Sequence, residues 1–217
     1  MAHRFLPHLM FAGCMATGCG LPSMLVHRPA AADLDAAITA MWTADIRRTA
    51  RTGDWILTRS YSLTADMIDL GSEGPPVAHV AIYDAESGTI IEAISPAVRE
   101  VPLESLIARN HMAIVVRPRG LSDAQARATV ARARSAVGAP FDYLGVLGID
   151  TDGRYYCSEL VMWAAGIHVP ALGTVAPSSL VVYGDVVFAS GPRDDPTVEL
   201  AATLTARRRS MVSAAGL

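Results

Sequence analysis

One cysteine, one histidine and one glutamate carry the types and spacing that covalent chemistry needs. Cys157 lies in the run Tyr156-Cys157-Ser158-Glu159-Leu160-Val161. A thiol attacks a carbonyl as the thiolate, and an ordinary cysteine with a pKa of about 8.5 is mostly protonated at neutral pH. A helix N-terminus favours the anion through its exposed N–H groups and dipole, and a neighbouring imidazolium favours it by charge. Residues 158–165 predict a helix with Leu160, Val161 and Trp163 as packing positions. Cys157 then stands immediately before the first turn, and the N–H groups of that turn can also receive the oxyanion of acyl transfer.

The base must be a histidine. His27, His79, His111 and His168 are the candidates, because His3 and His8 fall in an apolar leader. Strand parity favours His79. In residues 78–83 Val80 and Ile82 share one face, and His79, Ala81 and Tyr83 share the other. If residues 85–88 form the loop of a hairpin, Asp84 pairs with Thr89 and His79 with Ile94. Glu92 then lies diagonal to His79 on the same face, within reach of its ring. A loop one residue longer or shorter turns Glu92 to the opposite face. Each residue alone has an ordinary structural reading: a small buried thiol, a satisfied strand histidine, a solvated glutamate. The three together point to a thiol nucleophile, its base and the group that orients the base.

The remaining elements must position these groups. Residues 33–51 predict a helix capped by Asp33, 55–58 a short strand, and 64–70 a short helix before a Gly/Pro loop. Residues 78–84 and 89–93 form the hairpin, 98–101 an edge strand, 103–108 a helix and 111–117 a strand. Ser122 with Gln125 three residues later is a capping box that starts a helix running to about Val137. Residues 140–155 are loop-rich, and 181–189 predict a final strand. Helices flank a strand-rich middle, so the class is α+β. The expected organisation is a leader and tether over 1–30, a catalytic domain over 31–190 and a poorly packed polar tail over 191–217.

Composition excludes several functions. Of the 217 residues 51% are apolar and 18% charged, which excludes a disordered chain. A net charge of -3 with scattered arginines offers no basic stripe for nucleic acid. The three cysteines, Cys14, Cys19 and Cys157, are too few and too unevenly spaced for a disulfide framework or a zinc site. No metal and no cofactor is expected.

Arg4 followed by the apolar run from Leu9 to Cys19 reads as a secretory signal, too short to span a bilayer. Ala16-Thr17-Gly18-Cys19, and less well Phe11-Ala12-Gly13-Cys14, resemble a bacterial lipobox, which makes Cys19 the candidate for lipidation. The expected location is the bacterial cell envelope, with the membrane as a partner through that anchor. The alternative is a cytoplasmic chain with an apolar N-terminus.

The segment Tyr156-Cys157-Ser158-Glu159-Leu160-Val161 resembles the nucleophile segment of the circularly permuted papain-like amidases, the YiiX-like branch of the NlpC-type cysteine peptidases. Gly53-Asp54 before an apolar strand, residues 78–83, Glu92-Ala93 and Pro177-Ser178-Ser179-Leu180 match that family's other blocks in order, over roughly residues 53–180. Here histidine and glutamate precede cysteine, as in the permuted branch. The resemblance implies a permuted papain-like fold with a central antiparallel sheet or small barrel. It also implies Cys157 as nucleophile, His79 as base, Glu92 as orienter, and an acyl-enzyme formed from an amide or ester, in cell-wall peptide or acyl lipid. Non-permuted relatives carry a Pro-Tyr pair whose hydroxyl helps to hold the oxyanion. Here Pro140-Phe141 stands in its place, so Tyr143 or the backbone N–H groups of Cys157 and Ser158 must substitute. Lipid acyl transfer by the same residues, or ligand binding in a degenerate, non-catalytic cleft, are the alternatives.

Overall fold

The computed structural model describes residues 21–149, 151–168 and 173–214. Cys14 and Cys19 lie outside them, as does most of the leader.

Helix α1 (Ala32–Thr49) precedes strand β1 (Trp55–Ser60), helix α2 (Leu63–Leu70) and the hairpin of β2 (His79–Asp84) and β3 (Thr89–Ile94). Strand β4 (Ala97–Pro102), helix α3 (Leu103–Ala108), strand β5 (Asn110–Pro118) and helix α4 (Asp123–Ser135) follow. A 3₁₀ turn (Gly145–Leu147) then leads to helix α5 (Cys157–Ala165), a 3₁₀ segment (Pro177–Tyr183), strand β6 (Gly184–Ala189) and helix α6 (Pro196–Ala214).

All six strands pair antiparallel in the order β4-β3-β2-β1-β5-β6. The sheet stays open, so of the two expected forms the sheet is realised and the barrel is not. The reason lies in the central strands, which are apolar on both parities. Trp55, Leu57, Val80, Ile82 and Ile91 pack under α4 and α5 with Val130, Ala133, Leu160 and Val161. Ile56, Ala81, Tyr83, Ile90 and Val115 pack on the other face with Ile38, Trp42, Ile46, Leu106 and Ile107. A sheet covered by helices on both faces has no interior to enclose.

The expected hairpin register is present, with Asp84 opposite Thr89 and Ile82 opposite Ile91. The capping box at α4 is also formed, since the Gln125 amide donates to Ser122 Oγ and the Ser122 amide to Gln125 Oε1. The Gly53-Asp54 pair has a structural role. Gly53 has a φ of +89°, and a Cβ there would lie 2.8 Å from Ala126 Cβ on α4. Asp54 is buried and takes a fork of hydrogen bonds from Arg117, 3.1 Å from Nε and 2.8 Å from Nη2.

Two expectations need correction. Asp33 does not cap α1; Ala31 occupies that position, and Asp33 and Asp35 sit inside the first turn, where the helix dipole favours carboxylates. Residues 181–183 belong to the 3₁₀ segment, not the last strand. Pro177 at its first turn presets a helical φ, and strand pairing begins only at Gly184, where a Cβ would lie 2.4 Å from Arg117 O. Beyond Gly191 the chain forms α6. Only Val198 and Ala202 of that helix join the core beside α1, so its pattern is nearly invisible in the sequence. Arg193 fixes its approach. This side chain is fully buried, lies over the Trp42 ring and donates to the carbonyls of Asn110, Ile107 and Asp35.

Candidate active site

Cys157 is the first residue of α5, with Tyr156 in the N-cap position. The helix therefore begins one residue earlier than its apolar pattern indicates, and the thiol belongs to the first turn. The N–H groups of that turn have no intrahelical acceptor. Glu159 accepts a hydrogen bond from the Tyr156 amide, 3.1 Å, which closes the chain onto the start of the helix. Leu160, Val161 and Met162 anchor the helix in the core under the sheet.

His79 opens β2. Its Nε2 lies 2.7 Å from Glu92 Oε2, and the Cys157 thiol is close enough to the ring for each to shift the other's pKa. With Nε2 occupied by the carboxylate, Nδ1 is the nitrogen left for the sulfur. Cys157 packs with the cluster under α5, whereas Glu92 follows the parity of Ile90 on the opposite face. His79 thus contacts one residue from each side of the sheet. It can do so because β2–β3 pairing is recorded only as far as Ile82–Ile91, leaving this end of the hairpin outside the ladder.

Glu92 is fully buried and makes ionic contacts with three partners: His79, Arg99 through Nε at 2.9 Å, and Arg109. Burial alone would raise its pKa. The His79 hydrogen bond and charge, with the two guanidinium groups, reverse this and hold it at about 2. Burial disfavours a protonated His79, but hydrogen bonds to Cys157 and Glu92 and their charges outweigh it and raise the imidazole to about 9. Burial likewise opposes the thiolate, and the His79 hydrogen bond and charge, then Ser158 and the Val80 amide, bring Cys157 below its ordinary value. The thiolate–imidazolium pair is the favoured form, and such a pair can attack a carbonyl carbon and protonate a leaving group.

Sequence reading did not find Arg99 and Arg109. Arg99 was within reach, because Ile94 faces Ala97 across a two-residue turn and that register places Glu92 opposite Arg99. Arg109 follows α3, and only tertiary packing brings it to Glu92.

Of the other expected groups, Ser158 is fully buried with Oγ 3.9 Å from Cys157 Sγ. Tyr143 is partly exposed. Its hydroxyl contacts Ser95 Oγ, and its ring meets Phe141 edge-on with centroids 5.1 Å apart. Tyr143 is not among the residues that line the cavity at Cys157, whereas Phe141 is. His27 and His168 are exposed and outside the cavity. His111 is buried elsewhere, edge-on to Tyr61 and 3.5 Å from Asp194.

Cys157 and His79 open into a cavity of about 1070 Å³. Its walls include α2, the 3₁₀ turn at 145–147, Tyr156 and residues 173–177. Asp142 holds the 3₁₀ wall in place by accepting from the amides of Gly145 and Thr151 at 2.8 and 3.1 Å. Among the described residues no group of three His, Cys, Asp or Glu side chains could hold a metal ion.

The model of the family described as permuted papain-like amidase enzyme, YaeF/YiiX, C92 family, matches residues 49–180. A solved structure with the same fold is that of metalloprotein YiiX from Escherichia coli O157:H7. It has a TM-score of 0.52 and 21% identity, over 66% of this chain and 98% of that one. A search of curated proteins found no match.

Proposed function

The chain belongs to the permuted papain-like amidase family, and on that premise we propose that it is a thiol hydrolase cleaving an amide or ester bond through an acyl-enzyme on Cys157. One observation carries the reading: His79 is held by Glu92 through Nε2 while its ring partners the Cys157 thiol. Sγ attacks the carbonyl carbon, and the C–S bond forms as the carbonyl electrons move to oxygen. The N–H groups of Cys157 and Ser158 at the start of α5 receive that oxyanion, a role for which no tyrosine hydroxyl is needed. As the tetrahedral centre collapses, the amine or alkoxide leaves with the proton of His79. Water then gives a proton to the neutral imidazole, its oxygen attacks the thioester, and the acid departs as Cys157 is regenerated. Glu92 keeps the ring in the tautomer and orientation that both steps use.

An electrophilic acyl probe should label the wild-type chain and not Cys157→Ala, with both proteins folded. Equal labelling of the variant would sink the proposal. Product analysis with and without an added amine separates hydrolysis from acyl transfer, which the same residues can perform. The location belongs to the proposal as well: export to the bacterial envelope, anchored by a lipid on Cys19. Among the described residues no helix is long and apolar enough to cross a membrane. Radiolabelled palmitate should enter the wild-type chain in a bacterial host, and Cys19→Ala should abolish its uptake.

A further inference from the structure

We propose that Leu21, Met24, Leu25 and Leu70 form a docking surface for a lipid bilayer, which lays the folded domain against the membrane. The inference rests on the envelope location proposed above and adds to it a contact made by the domain itself. The four side chains are 55%, 77%, 54% and 78% exposed. Apolar residues scattered singly on a surface need no explanation, but several gathered on one rigid segment mark an interaction site. Here the segment is 21–25, which is bound along α2. The Leu63 amide donates to Leu21 O at 3.1 Å, and Pro22 forms an antiparallel bridge with Ser62. Asp66 accepts from the Met24 amide at 2.7 Å, and Leu70 stands one turn beyond Asp66 on the same face of α2.

The exposure is enforced by the backbone. Ser23 is buried, donates to Asp66 Oδ1 at 2.7 Å and accepts from the amides of Leu25 and Val26 at 3.1 and 2.9 Å. The serine side chain thereby closes a turn with Met24 and Leu25 at its tip. Buried Arg59 donates to Asp66 from Nη2 at 3.0 Å and also contacts Asp69. The carboxylates beside the turn are thus already paired, and covering it with hydrocarbon strips water from neither as an isolated charge. The chain also indicates what covers the patch. The apolar run from Leu9 ends at Cys19, the candidate lipidation site, two residues before Leu21. Two residues span at most ~7 Å. A lipid on Cys19 therefore holds the patch at the bilayer surface, where each apolar group that leaves water adds to the attachment.

The test uses the full chain with Cys14, Cys19 and Cys157 changed to serine, so that no lipid is attached. Into it goes Met24→Cys or, as a control, Glu86→Cys. Glu86 is exposed in the β2–β3 loop, at the end of the sheet opposite Ser60. Each new thiol carries the environment-sensitive fluorophore NBD, and the chain is titrated with phosphatidylcholine vesicles. The emission at Met24→Cys should shift to the blue and be quenched by nitroxide-labelled lipid, and the emission at Glu86→Cys should do neither. No shift at Met24→Cys at any lipid concentration, or an equal shift at both positions, would overturn the proposal. A blue shift at Met24→Cys that grows with protein concentration in the absence of vesicles would assign the patch to a second copy of the chain and overturn it as well. Met24→Gln with Leu25→Gln, in the same cysteine-free chain, should lower partitioning into the vesicles about a hundredfold, at about tenfold for each side chain kept from hydrocarbon. Unchanged partitioning would refute the surface. The palmitate experiment on Cys19 reads the anchor separately: its failure removes the lipid, whereas the NBD shift in this unlipidated chain decides the surface.

Discussion

Glu92→Gln tests whether a buried carboxylate sets the proton affinity of the His79–Cys157 pair. The substitution keeps the shape of the side chain and removes one negative charge 2.7 Å from His79 Nε2. His79 is raised from 6.5 to about 9. That difference of 2.5 corresponds to about 3 kcal/mol in favour of the imidazolium, shared between Cys157 and Glu92 and net of the burial that opposes it. If Glu92 supplies close to half, the imidazole of the variant falls by about one pH unit. The assay is the rate of Cys157 alkylation by iodoacetamide between pH 4 and 10, in a background with Cys14 and Cys19 changed to serine. The chain contains no lysine to compete for the reagent. The wild type should react well below the pH at which an ordinary thiol ionises, with a second change near pH 9 as the imidazolium loses its proton. In Glu92→Gln that upper step should move down by about one unit. In His79→Gln a single step should appear at the ordinary thiol value or above, with the rate at pH 7 reduced at least tenfold, the factor one unit of pKa gives. Superimposable profiles for the wild type and a folded Glu92→Gln would refute the reasoning. A wild-type thiol that titrates like a free cysteine would favour a ligand-binding cleft without catalysis.

Glu92 also predicts an acid limit to stability. Its pKa is depressed from 4.5 to about 2, so its contribution, about 3 kcal/mol, is complete above pH 4.5 and is lost as the pH falls through about 2. Urea midpoints for the wild type should fall across this window, and Glu92→Gln should show a shallower fall. The raised His79 acts in the opposite sense: its contribution is complete below pH 6.5 and is lost as the pH rises through about 9, which a second set of urea midpoints should reveal. Gly53→Ala should lower stability by more than about 1 kcal/mol in thermal unfolding, because a residue with a Cβ is strained at that φ and the new methyl meets Ala126. An unchanged midpoint would show that α4 and the turn shift at little cost.

Much of the site was legible because it depends on short-range rules. Alternation placed His79 and Glu92 on one face, and a four-residue hairpin loop fixed the register that brings them within hydrogen-bonding distance. Apolar spacing found α5, although its first residue was set by where the backbone turns into the helix, at Cys157, and not by where the apolar pattern begins. The order of the motifs, histidine and glutamate before cysteine, points to the family by itself. The start of β6 and the open sheet were harder to read. Local pattern gives strands, but closure depends on whether helices cover one face or two, which is a sum over contacts distant in the chain.

What the sequence alone determined is therefore the set Cys157, His79 and Glu92, the strands and helices that carry them, and the α+β class. These follow from periods of two and 3.6 residues and from one specific motif. Tertiary structure alone decided that Arg109 joins Arg99 on Glu92, that Arg193 and α6 close one side of the core, and that Phe141 lines a cavity that Tyr143 does not. Each of those facts joins segments that no local period relates, and the burial that drives such contacts has no preferred partner until the sheet has formed.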